Sequence, residues 1–307
     1  MKLRVKSEQP LSEYPRPQLR RDSYICLNGN WEYAIRKESD FPSDYDGMIL
    51  VPYSPEVIKS GVNKVIMPDD YLFYHLSYEI PKDFIKDKVI LHFGAVDQIC
   101  EVFINGQFAT KHIGGFLPFS CDIKPYLNDN KMDVILRVQD TTNTSIHSSG
   151  KQSLNPGGIW YKPQSGIYMP VWMESVNEGF IDNLKITPDI DKKICKIRFS
   201  SSKKVAKLEL NGIIFDVQAD FDNIVKIVEL NLWSPENPYL YEFKLSNEVD
   251  EIYSYFAMRK ISLIKNNKGQ LVIALNNNEY FMKGVLDQGY YQDGLLTPNS
   301  DQDYIND

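Results

Sequence analysis

The sequence is poor in basic runs, long apolar runs and cysteine, and each shortage argues against a class of protein. The 307 residues carry a formal net charge of −7, which argues against a nucleic acid or an anionic membrane as a partner. No window reaches the roughly 18 consecutive apolar residues that a membrane-spanning helix needs. The amino terminus is charged from its second residue onward, so we expect no signal peptide.

Cysteine is also scarce, and the four that occur are scattered along the chain: Cys26, Cys100, Cys121 and Cys195. Their spacing matches no zinc or redox motif. Each lies among strand-like residues, where a free cysteine behaves as a small hydrophobic side chain. We therefore expect no metal, no cofactor and a cytoplasmic location.

The usual catalytic signatures are missing as well. The sequence has no dinucleotide-binding fingerprint, phosphate loop, zinc-protease motif or nucleophile elbow. The four histidines are dispersed and show no helical pairing. Nothing in the first 264 residues forms a nucleophile or an acid–base pair, so no catalytic residue is predicted.

What the sequence does contain is a β pattern. Short apolar or alternating runs recur between residues that favour turns, as β-sandwiches require. Asn105-Gly106 and Asn211-Gly212 each separate two strand-like runs, and Asn-Gly favours the type I′ turn of a two-residue hairpin. The 19 tyrosines and 15 phenylalanines suit either sandwich cores or sugar stacking, and composition does not separate these readings.

The pattern divides the chain into three parts. Residues 1–178 are predicted to form a large β-sandwich, and residues 179–264 a smaller sandwich of immunoglobulin-like size. Residues 265–307 look like the opening of a further domain. Within them, residues 281–286 are apolar apart from Lys283, which predicts a buried parallel strand, and a helix is predicted to begin at Ser300.

Several segments, in the same order along the chain, carry a family resemblance: Leu27-Asn-Gly-Asn-Trp31, Leu91-His-Phe-Gly-Ala-Val-Asp97, Ser165-Gly-Ile-Tyr-Met-Pro-Val-Trp172 and Phe281-Met-Lys-Gly-Val-Leu-Asp-Gln288. They resemble the front part of glycoside hydrolase family 2, the group of β-galactosidases, β-glucuronidases and β-mannosidases. The resemblance implies an all-β region: a galactose-binding-like jelly roll in residues 1–178, then an immunoglobulin-like sandwich in residues 179–264. Residues 265–307 would be the truncated start of the catalytic (β/α)8, or TIM, barrel.

Members of that family hydrolyse β-glycosides with retention, using two glutamates on late barrel strands. The resemblance places both glutamates beyond Asp307. We therefore expect the non-catalytic amino-terminal region of a β-galactosidase-like O-glycosyl hydrolase, inactive alone, whose parent acts on a β-glycoside or an oligosaccharide. Whether the parent is a homo-oligomer is left open. The alternative is a stand-alone carbohydrate-binding or interaction protein.

The barrel assignment also supplies candidate sugar contacts, because loops after barrel strands form the active site. The resemblance places one aromatic residue, Trp160, where well-known β-galactosidases carry an acidic residue, which argues against galactose specificity. Trp160 either stacks on a sugar ring or packs against a neighbouring domain, and the loop residues either bind sugar or shape the loop. The predicted substrate-binding residues are Asp287, Gln288, Tyr290, Asp293 and Trp160, with Tyr291 in the same loop.

Overall fold

The computed structural model describes residues 9–307 and divides into two compact units. The first unit contains residues up to 15, residues 23–175 and residues 288–307. The second contains residues 16–22 and 176–287. Nearly all regular structure in the described residues is β, which confirms the predicted all-β class.

Twelve strands build the described part of the first unit, in antiparallel sheets. A six-stranded sheet has the order β3-β2-β4-β10-β7-β8, a four-stranded sheet the order β1-β12-β5-β9, and β11 pairs with β6. Short 3-10 helices lie at Ile58–Ser60, Lys82–Phe84 and Lys124–Tyr126. The strands are β1 Ile25–Cys26, β2 Gly29–Arg36, β3 Gly47–Val51, β4 Tyr71–Glu79, β5 Lys88–Phe93, β6 Val96–Asp97, β7 Ile99–Ile104, β8 Gln107–Ile113, β9 Phe119–Asp122, β10 Lys131–Gln139, β11 Gly166–Ile167 and β12 Val171–Val176.

The core of the first unit follows from strand alternation. Every second residue of β5, β7 and β10 is buried, because successive side chains of a strand point to opposite faces. The buried side chains of both large sheets form one apolar cluster that includes Trp31, Tyr74, Leu91, Phe93 and Leu136. Its burial supplies the main stabilisation of this unit.

Both predicted Asn-Gly hairpins are confirmed. Asn105 and Gly106 join β7 to β8 with positive φ angles of 48° and 77°. Asn211 and Gly212 adopt φ angles of 49° and 76° between two strands of the second unit. These paired positive values belong to the type I′ turn, whose twist matches that of the flanking strands.

The second unit contains ten strands. Its sheets have the orders β13-β14-β17, β16-β15-β18-β19 and β20-β21-β22, and a 3-10 helix lies at Pro17–Leu19. A second apolar cluster, which includes Phe199, Leu208 and Tyr241, forms the core. The strands are β13 Asp182–Asp189, β14 Ile194–Ser200, β15 Val205–Leu210, β16 Ile213–Gln218, β17 Asn223–Lys226, β18 Tyr241–Ser246, β19 Glu251–Phe256, β20 Ile261–Lys265, β21 Leu271–Leu275 and β22 Asn278–Glu279.

Residues 16–22 join the second unit through a buried ion pair. Arg21 donates from Nε and from a terminal nitrogen to the two carboxylate oxygens of Asp250, at 3.0 and 2.9 Å. Both side chains are nearly inaccessible to solvent. Such a two-point contact fixes orientation as well as distance. It therefore fastens this early segment to the loop before β19.

The predicted buried strand at residues 281–286 is wrong. These residues have no regular secondary structure, and Phe281 and Val285 are 81% and 93% exposed. Among the described residues β22 ends at Glu279, and no strand pairs with the segment after it. An apolar run forms a buried strand only where neighbouring elements cover it, and none of the described elements covers these side chains. The assignment of residues 265–307 to the start of a barrel stays a prediction.

The predicted helix start at Ser300 is confirmed. Helix α1 spans Asp301–Asn306 with Ser300 as its N-cap residue. The Asp303 carboxylate accepts from the backbone N–H of Ser300 at 3.2 Å and from that of Asn299 at 2.6 Å. An acidic side chain in the first turn is favourable because the helix dipole is positive there.

Limited proteolysis should distinguish the exposed residues 280–287 from the buried residues 294–298. We expect chymotrypsin to cut the chain first within residues 280–287, because cleavage needs exposed, extended backbone. Residues 294–298 should be cut much later, since Gly294 and Thr297 are buried. Mass spectrometry of a time course identifies the order of the cuts. A first cut within residues 294–298 would contradict the described burial.

Candidate functional site

Three buried carboxyl groups lie close together in the first unit. Asp97 ends β6, Asp140 follows β10, and Glu56 lies between β3 and β4. Their exposures are 2%, 1% and 8%. Asp97 is packed so closely that a Cβ atom at Gly115 would collide with its Oδ1. A buried charge is costly unless it is paired, so the hydrogen bonds of these groups decide their state.

The hydrogen bonds of this cluster converge on the residues before β11. The Ser165 hydroxyl donates to Asp140 Oδ2 at 2.7 Å, and the Ser165 backbone N–H donates to Glu56 Oε2 at 3.1 Å. Gln152 Nε2 donates to Asp97 Oδ2 at 2.9 Å. None of these donors is a cation. The cluster is therefore held by neutral groups rather than by ion pairs.

Burial has the largest effect on the pKa values of the three carboxyl groups. It raises the pKa of Glu56 to about 7, against the lowering effect of the Ser165 hydrogen bonds. Burial also raises the pKa of Asp97, and the nearby Asp140 carboxyl adds to the increase. The pKa of Asp140 is raised by burial as well. Desolvation disfavours the charged form of a carboxyl group, so these groups keep protons at pH values where exposed acids have lost them.

The predicted loop residues lie partly against a second loop of the same unit. The Tyr290 ring stacks on Tyr161 with centroids 3.9 Å apart and planes at 15°. Lys151 Nζ donates to Gln288 Oε1 at 3.1 Å. Residues 288–290 are thus fastened to residues 151–161.

A few residues further on, the same segment is buried. Leu296 N–H donates to Gln164 Oε1 at 3.0 Å, and Thr297 Oγ1 donates to the Tyr168 carbonyl at 2.8 Å. The Tyr53 hydroxyl donates to the Pro298 carbonyl at 3.1 Å. Thr297 is only 1% exposed. Hydrogen bonds between buried groups make this contact specific.

The structure brings some of the predicted substrate-binding residues together. Gln288 and Tyr290 contact residues 151–161, which also contain Trp160. Trp160 closes a tight turn with Gly157 through reciprocal backbone hydrogen bonds of 3.1 Å and is 49% exposed. Asp293 is exposed on the same segment as Tyr290. Asp287 is exposed and belongs to the second unit.

The sequence analysis did not identify the buried carboxyl groups or the side chains that form hydrogen bonds with them. Asp97 and Ser165 stand inside segments that carried the family resemblance, but nothing in the pattern marked their side chains. Gln164 directly precedes Ser165 and had no signal of its own. Glu56 and Asp140 lie outside regular strands, where periodicity gives no information.

A surface cavity of about 590 Å³ lies within the second unit. Its lining includes Tyr253, whose ring is covered by the Arg20 guanidinium at 4.8 Å from the ring centroid. The Tyr253 hydroxyl donates to Glu251 at 2.5 Å. One face of the Tyr253 ring and its hydroxyl are therefore already engaged within the protein.

Within residues 9–307, no group of three or more histidine, cysteine, aspartate or glutamate side chains is arranged to hold a metal ion. No helix in that part of the chain has the length and apolarity to cross a membrane.

The buried carboxyl cluster predicts how stability depends on pH. The raised pKa values mean that the folded state keeps protons that the unfolded state loses near pH 4. The contribution of this cluster to the free energy of unfolding should therefore fall as pH rises from about 4 toward 7. Asp97→Asn removes one of these titrating groups. The free energy of unfolding of this variant should therefore fall less steeply with pH than that of wild type, by up to roughly 1.4 kcal/mol per pH unit in that window.

Urea unfolding at pH 5, 6, 7 and 8 measures this difference between wild type and variant. Asp83→Asn, at an exposed 3-10 turn, is the matched control and should run parallel to wild type. Parallel curves for wild type and Asp97→Asn would show that Asp97 does not titrate differently on folding.

Comparison with known families gives two adjacent matches. The model described as "Glycosyl hydrolases family 2, sugar binding domain" matches residues 24–173, and the model "Glycosyl hydrolases family 2" matches residues 179–259. A β-galactosidase of Thermoanaerobacter pseudethanolicus is 23% identical over 75% of this chain and 34% of its own length. A β-glucuronidase of Streptococcus agalactiae is 23% identical over 92% of this chain and 50% of its own length.

Solved structures show the same fold. The β-D-glucuronidase of Dictyoglomus thermophilum aligns with a TM-score of 0.72 at 21% identity, covering 95% of this chain and 52% of that one. A Faecalibacterium prausnitzii β-glucuronidase gives 0.75 at 19% identity, covering 95% and 55%. The chain therefore spans between about a third and about half of the length of these relatives. With both models matched in sequence order over most of its length, the chain belongs to glycosyl hydrolase family 2.

Proposed function

We propose that this region is the non-catalytic amino-terminal part of an enzyme that hydrolyses β-glycosides with retention. The observation that carries the proposal is the pair of family 2 matches, which follow one another without a large gap. The names of the relatives, β-galactosidase and β-glucuronidase, support a β-glycoside as the substrate class. A stand-alone binding protein is less favoured, because the glycosidase relatives align with both sandwiches.

The carboxyl groups of this region are poorly suited to glycoside chemistry themselves. A retaining glycosidase needs two carboxyl groups about 5 to 5.5 Å apart, flanking a bound sugar. Asp97, Asp140 and Glu56 are buried, and their oxygens accept hydrogen bonds from Gln152 and Ser165. These groups support the fold, and the catalytic glutamates belong to the barrel of the whole enzyme.

The sugar contacts contributed by this region are those of the loop and of its neighbour. Gln288 and Asp293 offer polar atoms to sugar hydroxyls, while Tyr290 and Trp160 offer aromatic faces. Asp287 directly precedes Gln288, and its exposed side chain offers a carboxylate to a ligand. The exposed indole of Trp160 in place of a carboxylate disfavours galactose over other β-linked sugars.

The proposal extends to location. The four cysteines are free thiols, and three of them are buried, which suits a reducing cytoplasm. Homo-oligomeric assembly of the whole enzyme stays a prediction.

Activity assays test the function directly. The full-length enzyme should release nitrophenol from at least one of the β-galactoside, β-glucuronide and β-mannoside substrates. The 307-residue chain, purified to homogeneity, should release none, because the resemblance places both catalytic glutamates outside it. Turnover by the isolated chain would refute the assignment of catalysis to the barrel, and a full-length protein inactive on all β-glycosides would refute the proposed function.

Asp287→Ala tests the loop in the full-length enzyme. Loss of a hydrogen bond to a sugar hydroxyl should lower kcat/KM roughly ten- to a hundredfold, since about 1.4 kcal/mol is a factor of ten. The melting temperature should change little, because Asp287 is exposed. Asp216→Ala, at an exposed strand position, is the matched control and should leave both quantities unchanged. Retained activity with a large drop in melting temperature would make Asp287 a structural residue.

A further inference from the structure

The segment after the exposed residues 281–287 is fixed at two places. Near its start, Gln288 and Tyr290 contact Lys151 and Tyr161. Further on, residues 296–298 form hydrogen bonds with the sandwich. All of these contacts lie within the first unit. The family resemblance places this loop after the first barrel strand, and these contacts are with the first sandwich.

Gln164 has a particular place among these contacts. Its side chain is fully buried, and its Oε1 accepts the Leu296 N–H at 3.0 Å. Its own backbone N–H donates to Gln152 Oε1 at 2.6 Å, and Gln152 in turn donates to Asp97 at 2.9 Å. A continuous chain of hydrogen bonds therefore runs from the buried carboxyl cluster to the loop.

The other half of the Gln164 amide is not used. Nε2 is buried and has no hydrogen-bond partner among the described residues. A buried donor without a partner is unfavourable, so an apolar side chain of similar length would serve packing better. The polar group is explained by the single bond that its oxygen accepts from Leu296.

We propose that Gln164 is a positioning residue, through which the sugar-binding sandwich sets the place of the substrate-binding loop at residues 288–298. Gln164 touches no substrate; it acts through Leu296. The inference rests on the proposed function, because it gives that loop a role in binding the β-glycoside. It assigns to the first domain the task of holding a loop of the active site.

Two substitutions separate positioning from packing. Gln164→Met keeps the length of the side chain and removes the strong acceptor, so Leu296 N–H loses its partner. Gln164→Glu keeps an oxygen in that place. Burial favours the neutral form of the new carboxyl group, so the measurements are made at pH 6. Gln107→Met, at an exposed strand position, is the matched control.

The first readout is amide hydrogen exchange in the 307-residue chain. Exchange at Leu296 and Thr297 should be at least roughly tenfold faster in Gln164→Met than in wild type. Without the hydrogen bond from Leu296 N–H to Gln164 Oε1, local opening of this segment costs less free energy. Gln164→Glu should restore protection, and Gln107→Met should leave it unchanged. Exchange in the core strands β5 and β10 should be the same in all four proteins.

The second readout is kinetics of the full-length enzyme on its best nitrophenyl β-glycoside. A displaced binding loop should raise KM at least roughly fivefold in Gln164→Met while kcat stays within about twofold, and Gln164→Glu should recover the wild-type KM.

The two readouts can fail separately. An inactive wild-type enzyme would refute the proposed function and leave the exchange result to judge the positioning role. Unchanged exchange at Leu296 in Gln164→Met would overturn the positioning role. Faster exchange across the whole sandwich in both Gln164 variants would show that Gln164 only packs, and would overturn it too.

Discussion

The arrangement of the first unit depends on the hydrogen bonds that the polar groups of residues 164–168 form. The polar groups of this short segment form hydrogen bonds with distant parts of the chain, including two members of the carboxyl cluster. Gly166 has a φ of 71°, and a Cβ atom there would collide with the Tyr74 hydroxyl. That hydroxyl accepts the Ile167 N–H at 3.2 Å. A larger residue at position 166 would therefore disturb the sheet and the cluster together.

Burying the carboxyl cluster costs free energy. Within the described residues, its three acids are buried without a basic partner, and each pays for burial with a raised pKa. Hydrophobic residues of similar size would often be at least as stabilising at such sites. In return, the acids offer acceptors in fixed directions to backbone and side-chain donors of several loops. These directional hydrogen bonds hold several loops in one arrangement. Apolar contacts alone are not directional and would fix that arrangement less specifically.

Local sequence signals predicted the elements whose structure is decided locally. The Asn105-Gly106 turn needs only its own two residues and flanking strands, and Ser300 followed by Asp303 caps a helix without help from elsewhere. Residues 281–286 are the opposite case, because an apolar run becomes a buried strand only where neighbours cover it. The sugar-binding role of Gln288 and Tyr290 stays a prediction. Their contacts with a second loop, like those of Gln164 and Asp97, are made between distant residues. No local pattern encodes such contacts.

The exposed residues 281–286 have a consequence for how this region behaves in concentrated solution. Phe281, Met282, Val285 and Leu286 are more than half exposed in one short stretch. An apolar stretch that belongs to no sheet can pair with the same stretch of another molecule, which is a known route to aggregation. Lys283 is the only charge within the run and Asp287 the one that closes it, so these two residues act as its gatekeepers. Removing the charge of Lys283 or Asp287 would therefore favour association of this region in concentrated solution.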